Sequence, residues 1–174
     1  MTQNREPIAF AAPSLGEEEF AAVDAVLRSG WITSGPNVTA FEGDLSTYFG
    51  GRPTRLLTSE TAALEVALQL LGIGAGDEVL IGAQTFFSSG NMVEKVGAKA
   101  VFVDVNLNSR NIDLDDAATR VTSKTKAIIP THYAGLACDM DALYAFAKLH
   151  NLRVIEDAAL AIGSLWRGPI VMAS

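Results

Sequence analysis

Cysteine is nearly missing from this sequence. The single Cys138 cannot form an internal disulfide, which excludes the cross-linked scaffolds of small secreted domains. Basic residues are also scarce. Lys plus Arg number 13 against 20 Asp plus Glu, a formal net charge of −7, with no basic cluster anywhere. Nucleic acid and anionic membrane surfaces are poor partners for such a chain. No apolar run approaches the roughly 18 to 20 residues that span a bilayer, and the opening MTQNREPIAF carries no apolar signal core. A soluble cytoplasmic protein is expected. Ser/Gly linkers, low-complexity tracts and internal repeats are absent as well, so residues 1–174 are expected to form one domain or part of a larger one.

What the chain does have is apolar content, 49% of its residues, arranged in alternation. Short β-rich runs occur at RLLTS (55–59), DEVLIG (77–82), KAVFVDV (99–105), KAIIPTHY (126–133) and RVIEDA (153–158). Between them lie helical patterns at GEEEFAAVDAVLRSG (16–30), TAALEVALQLLG (61–72), SSGNMVEKVG (88–97) and MDALYAFAKLHN (140–151), each ending near Gly or Asn. This order predicts repeated βαβ units and an α/β fold on a mostly parallel sheet.

The Gly-rich LGIGAGDEV (71–79) looks at first like a dinucleotide-binding loop. Such a loop must follow a strand and open a helix, whereas these glycines follow a helix and precede a strand. Gly72, Gly74 and Gly76 are expected to stop the helix and turn the chain.

The apolar run LRVIED ends in two acids, Glu156 and Asp157. Ligands of parallel sheets bind outside the carboxyl ends of the strands, which puts Asp157 in position for chemistry. The alternative is a helix cap, since Asp accepts orphan backbone N–H groups at a helix start. His132 ends the run KAIIPTHY and faces either a site or a satisfied buried position. His150 reads as a surface residue complementing a helix C-terminus, and Cys138 as structural.

Four motifs then stand in order: SGWITSGPNVTAFE (29–42), TSETAALEVAL (58–68), QTFFSSGNMVEKVGAKAVFVDVN (84–106) with PTHYAGLACDMDAL (130–143), and VIEDAALAIGS. Together they resemble the N-terminal part of the large domain of the DegT-type (DegT/DnrJ/StrS) sugar aminotransferases, pyridoxal-phosphate (PLP) enzymes of the aspartate aminotransferase fold. The resemblance implies a three-layer α/β/α domain, truncated before the rest of the large domain. It also implies PLP as cofactor, a nucleotide-linked keto sugar as substrate and a homo-oligomer, with a dimer expected.

Residue by residue, Asp157 matches the acid that keeps the PLP ring nitrogen protonated. Phe86 matches the aromatic that stacks on the ring, with an ordinary core position as its alternative. Ser59 to Leu64 match the phosphate turn at a helix N-terminus; there the Thr61 hydroxyl is either a ligand or a cap. Trp31, Thr33 and Ser34 match a family loop near the substrate side, although a turn around Gly35 and Pro36 explains their composition equally well; His132, at a strand end, is the fourth substrate-side candidate.

The chain also departs from the family pattern. Glu60 replaces glycine in the phosphate turn and sets a carboxylate beside a phosphate. Leu160 replaces His or Gln three residues after the ring-nitrogen acid. No residue matches the Schiff-base lysine: Lys95, Lys99, Lys124, Lys126 and Lys148 all lie in other contexts, and the family's lysine falls beyond the last residue here. The resemblance therefore implies an aminotransferase that is inactive as this chain alone, with a non-catalytic binding or assembly module as the alternative.

Overall fold

The computed structural model describes residues 12–168. They form two units, divided between Phe41 and Glu42.

In the first unit, helix α1 (Glu17–Ser29) carries three glutamates in its first turn and Arg28 in its last, so charge of the favourable sign lies at each end of the helix dipole. The Glu19 carboxylate accepts the N–H of Gly16 at 2.7 Å. Helix α2 (Pro36–Tyr48), within which the division falls, starts on a proline, whose fixed φ and missing N–H suit a first turn. The sequence reading saw only a turn at Gly35 and Pro36; the proline in fact opens a helix.

The second unit alternates helix and strand as expected. Its elements are α3 (Glu60–Leu70), β1 (Glu78–Gly82), α4 (Phe87–Lys95), β2 (Lys99–Val103), α5 (Leu114–Arg120), β3 (Thr125–Ile129), α6 (Met140–Leu149) and β4 (Arg153–Val154). Short polar side chains set the helix starts. Ser59 accepts from the N–H of Ala62 on α3, Asp113 from Asp115 and Asp116 on α5, and Asp139 from Ala142 on α6. Between α3 and β1, Gly72 and Gly76 take φ of 69° and 92°, as expected of a helix stop and a turn rather than a nucleotide loop. Helix α5 escaped the sequence reading because it is short.

The strands pair in parallel in the order β2-β1-β3-β4. Alternate residues of each strand serve opposite faces. On one face Val79, Ile81, Ala127 and Ile129 pack with Leu64, Leu68 and Val93 from α3 and α4. On the other, Leu80, Val103 and Ile128 pack with Ala117, Leu143 and Phe146 from α5 and α6. This is the three-layer α/β/α arrangement. Side chains fully removed from water, such as Leu68, Leu80 and Ile128, each contribute about 1.5–3 kcal/mol of hydrophobic stabilisation.

One expected strand is not there. RLLTS (55–59) forms no ladder with any described residue, and the N–H of Leu56 instead donates to the Glu42 side chain at 2.9 Å. A β-prone sequence without a partner edge has no ladder to complete. β4 is also shorter than RVIEDA suggested, although the pairing resumes as a single bridge between Thr131 and Asp157.

Candidate functional site

Beyond the carboxyl ends of β1, β3 and β4 the period-2 alternation continues. It carries Thr131 and Asp157 onto the α3/α4 face, in line with Ile129 and Ile155. His132 and Glu156 fall on the opposite face. Backbone bonds lock this pairing: the N–H of Asp157 donates to the carbonyl of Pro130 at 2.9 Å, and that of His132 to the carbonyl of Asp157 at 3.0 Å.

The Asp157 carboxylate is 5% exposed and gathers hydroxyl groups from three elements. Its Oδ2 accepts from Thr131 Oγ1 at 3.3 Å, Thr85 Oγ1 at 3.4 Å and Ser89 Oγ at 3.5 Å. Thr85 in turn shares hydrogen bonds with Thr131 (2.8 Å) and Ser89 (3.2 Å). Oδ1 accepts the N–H of Ala159 at 3.3 Å, so the capping role weighed from sequence survives as a local turn beside the hydroxyl cluster.

Sequence reasoning passed over Thr85, Ser89 and Thr131. For the two threonines the available signal was a Thr past an apolar run, at the parity that shares a face with Asp157; Ser89, inside α4, gave none.

Glu60 is the second acid of the site. It begins α3, and its Oε2 accepts from Ser88 Oγ, in the first turn of α4, at 3.4 Å. The bond ties two helix N-termini together, so the positive ends of two helix dipoles converge here. The other oxygen, Oε1, is buried with no hydrogen-bond partner. Burial, and next the negative charge of Asp157, raise the Glu60 pKa above its ordinary value, and the Ser88 hydrogen bond opposes them. Thr61 follows in the same turn and is half-buried.

Phe86 precedes α4 and is 60% exposed, outside the core clusters of the described residues. It leans on Phe87 with ring centroids 4.2 Å apart. Leu160 is 74% exposed on the loop after Asp157. A groove of about 410 Å³, lined by Thr85, Phe87, Gly90 and Phe102 among others, borders the cluster on the β2 side.

His132 does not join this cluster. It is 1% exposed, its Nδ1 accepts the N–H of Cys138 at 3.1 Å, and its Nε2 meets Glu156 Oε2 at 3.1 Å. With Nδ1 an acceptor, the proton belongs on Nε2 and is donated to Glu156. Tyr144 donates to the other Glu156 oxygen at 2.5 Å. Burial, followed by this bond and the Glu156 charge, pushes the tyrosine pKa up. Of the two positions weighed for His132, the hydrogen bonds match the satisfied buried one.

The loops at this rim are braced. Asn111 accepts the N–H of Tyr133 at 2.9 Å and donates to the carbonyl of Leu136 at 3.0 Å, and Ser164 donates to the carbonyl of Gly135 at 2.7 Å. Gly135 takes φ 84°, and a Cβ there would stand 3.0 Å from the Leu160 carbonyl oxygen, so only glycine fits without displacement. Trp31, Thr33 and Ser34 belong to the first unit, where the Trp31 indole N–H donates to the Ser34 carbonyl at 3.0 Å.

A parallel sheet with a buried acid and converging helix N-termini at its carboxyl edge is an α/β architecture, and ligands of such sheets sit beyond the carboxyl ends of the strands. The chain belongs to the DegT/DnrJ/EryC1/StrS aminotransferase family, whose sequence profile matches residues 13–173. Solved structures agree. An aminotransferase from Psychrobacter cryohalolentis superposes with a TM-score of 0.87 at 40% identity, over 91% of this chain and 41% of that one. A candidate sugar aminotransferase from Streptococcus pneumoniae, known in PLP, PMP and apo forms, gives a TM-score of 0.89 for its PMP form at 37% identity, over 94% of this chain and 45% of that one. For 3-amino-5-hydroxybenzoic acid synthase the values are 0.88 and 37%, over 96% and 44%. The chain thus spans less than half the length of these relatives.

Proposed function

We propose that this chain supplies the PLP-binding part of an aminotransferase that acts on a nucleotide-linked keto sugar. The observation that carries the reading is the buried Asp157 carboxylate, held by three hydroxyl groups beside two converging helix N-termini. When bound, PLP supplies an electron sink for the carbon that gains or loses the amino group. Asp157 would accept the ring N–H and hold that nitrogen protonated, and Thr85, Ser89 and Thr131 aim its carboxylate. Phe86, whose face is open to solvent, covers one side of the ring. The α3 N-terminus, with Thr61, receives the phosphate.

The fit differs between the two ends of the cofactor. At the ring-nitrogen end a satisfied, buried carboxylate suits a pyridinium. At the phosphate end the unpartnered Glu60 Oε1 suits a phosphate only as a neutral acid, which can donate a hydrogen bond.

Among the described residues no lysine lies at this rim. Lys99, Lys124 and Lys126 are at the opposite, amino-terminal ends of the strands, Lys148 is on α6, and Lys95 pairs with Glu65 at 2.6 Å. We propose that this chain by itself binds PLP without anchoring it covalently and does not transaminate. A substrate side built around Trp31, Thr33 and Ser34 rests on the family resemblance alone. Exposed Phe86, Phe87, Leu160 and Ile162 favour cover by a second copy, a homodimer. A second reading, a binding module without catalysis, is favoured by the same absence of a lysine at the rim.

A PLP titration followed by absorbance, with borohydride trapping and mass spectrometry, tests the proposal. Saturable binding without an adduct is the expected result. An adduct on one lysine would restore catalysis to this chain, and no binding at all would remove the cofactor reading.

A further inference from the structure

Glu60 sets an acid where the fold gathers positive charge. It opens α3 with its carboxylate drawn against the first turn of α4, where two sets of unpaired backbone N–H groups favour an anion. Among the described residues, however, the Glu60 carboxylate accepts none of those N–H groups. One oxygen has a long bond to Ser88, the other is buried without a partner, and the charge that acts on it is the negative one of Asp157. The other charged groups on the packed helices are engaged elsewhere: Glu65 of α3 pairs with Lys95 of α4, and Glu94 accepts the N–H of Ala100. An ionised acid with an unpartnered buried oxygen gives up hydration that nothing replaces. On a neutral acid, the O–H becomes a donor that lacks only an acceptor.

We propose that Glu60 is a proton-operated gate on phosphate binding at the α3 N-terminus. The neutral acid donates its O–H to a phosphate oxygen, and the ionised acid repels the same group. One proton is therefore taken up at Glu60 for each phosphate bound above the pKa of the free site. No bond other than the hydrogen bond forms. The gate discriminates between PLP and its phosphate-free analogue pyridoxal, increasingly so as pH rises. The inference rests on the cofactor reading and adds a pH dependence that the reading alone does not require.

The test is equilibrium dialysis of the purified chain with PLP and, separately, with pyridoxal. Wild type, Glu60→Gln and Glu60→Gly are compared from about pH 5.5 to about pH 8.5, with circular dichroism confirming that each variant is folded. Taking the ratio of wild-type to variant Kd cancels the titration of the PLP phosphate itself. For PLP this ratio is expected to be near unity at the acid end and to rise by up to about tenfold per pH unit above the Glu60 pKa, while the pyridoxal ratio stays flat. Both variants give the same pH slope if the carboxylate is the gate, because both remove its charge; Glu60→Gly also lacks a donor, so its ratio starts below unity at the acid end. Parallel wild-type and variant profiles for PLP would overturn the gate and leave the cofactor site standing. Failure of all three proteins to bind either ligand at any pH would overturn the cofactor reading, and the gate with it.

Discussion

Glu156 and Asp157 are neighbours in the chain and serve opposite faces of the sheet. Glu156 receives hydrogen bonds from His132 at 3.1 Å and Tyr144 at 2.5 Å on the α5/α6 side. Asp157 receives the hydroxyls of Thr85, Ser89 and Thr131 on the α3/α4 side. One acid braces the fold and the other faces the candidate site, because consecutive side chains of an extended backbone point in opposite directions.

The two acids should therefore respond differently to neutralisation. Asp157→Asn keeps the shape and three hydroxyl neighbours but removes the charge that holds a pyridinium. Hydrogen bonds to charged groups are worth about 1.5–3 kcal/mol, so PLP affinity is expected to fall roughly ten- to hundredfold. Glu156→Gln is expected to lower the denaturation midpoint while leaving PLP affinity nearly unchanged. Equilibrium dialysis and urea unfolding of both variants separate the two roles, and equal loss of PLP binding in both would contradict the division.

His132→Leu removes an acceptor from the Cys138 N–H and a donor from Glu156, both deep in the protein. A buried donor left without its acceptor costs about 1–3 kcal/mol, and a destabilisation of at least that size is expected in urea. If His132 served the substrate side instead, stability would hold and ligand binding would fall.

Glu60 makes stability fall with rising pH. Its native pKa lies above the ordinary 4.5, so between that value and the native pKa the folded chain holds more protons than the unfolded one. The slope of unfolding free energy with pH is then negative. The contribution is complete below pH 4.5, is lost as pH rises through the native pKa, and is flat beyond it. Thermal melts of wild type and Glu60→Gln across that window should converge at the acid end and diverge toward neutrality, with the variant more stable. A pH-independent difference would mean that the acid is solvated as in the unfolded chain.

Cys138 should be silent toward thiol reagents. Burial, reinforced by the Glu156 charge, pushes its pKa up to about 12, and the reactive species is the thiolate. Ellman's reagent at about pH 8 is expected to label one thiol only after denaturant is added. Rapid labelling of the native protein would show that the loop after β3 opens readily.

The sequence by itself determined the layer structure. Apolar runs of strand length alternating with helical patterns leave few ways to bury both, and the runs DEVLIG, KAVFVDV and KAIIPTHY became β1, β2 and β3 with small shifts at their ends. Gly72 and Gly76 were legible as a stop and a turn because they followed a helix, and Asp157 was legible as a candidate because it stood at a strand end. Tertiary structure decided the rest. RLLTS has the residues of a strand, yet a strand exists only where an edge pairs with it, and the Leu56 N–H found the Glu42 carboxylate instead. The hydroxyls around Asp157 come from segments 72, 68 and 26 residues away in sequence, so no local pattern could assemble them. The burial that raises the Glu60 pKa arises only when α3 packs on α4 near Asp157. Local sequence sets which backbone forms are cheap; solvation and charge at a site depend on distant groups that only packing brings together.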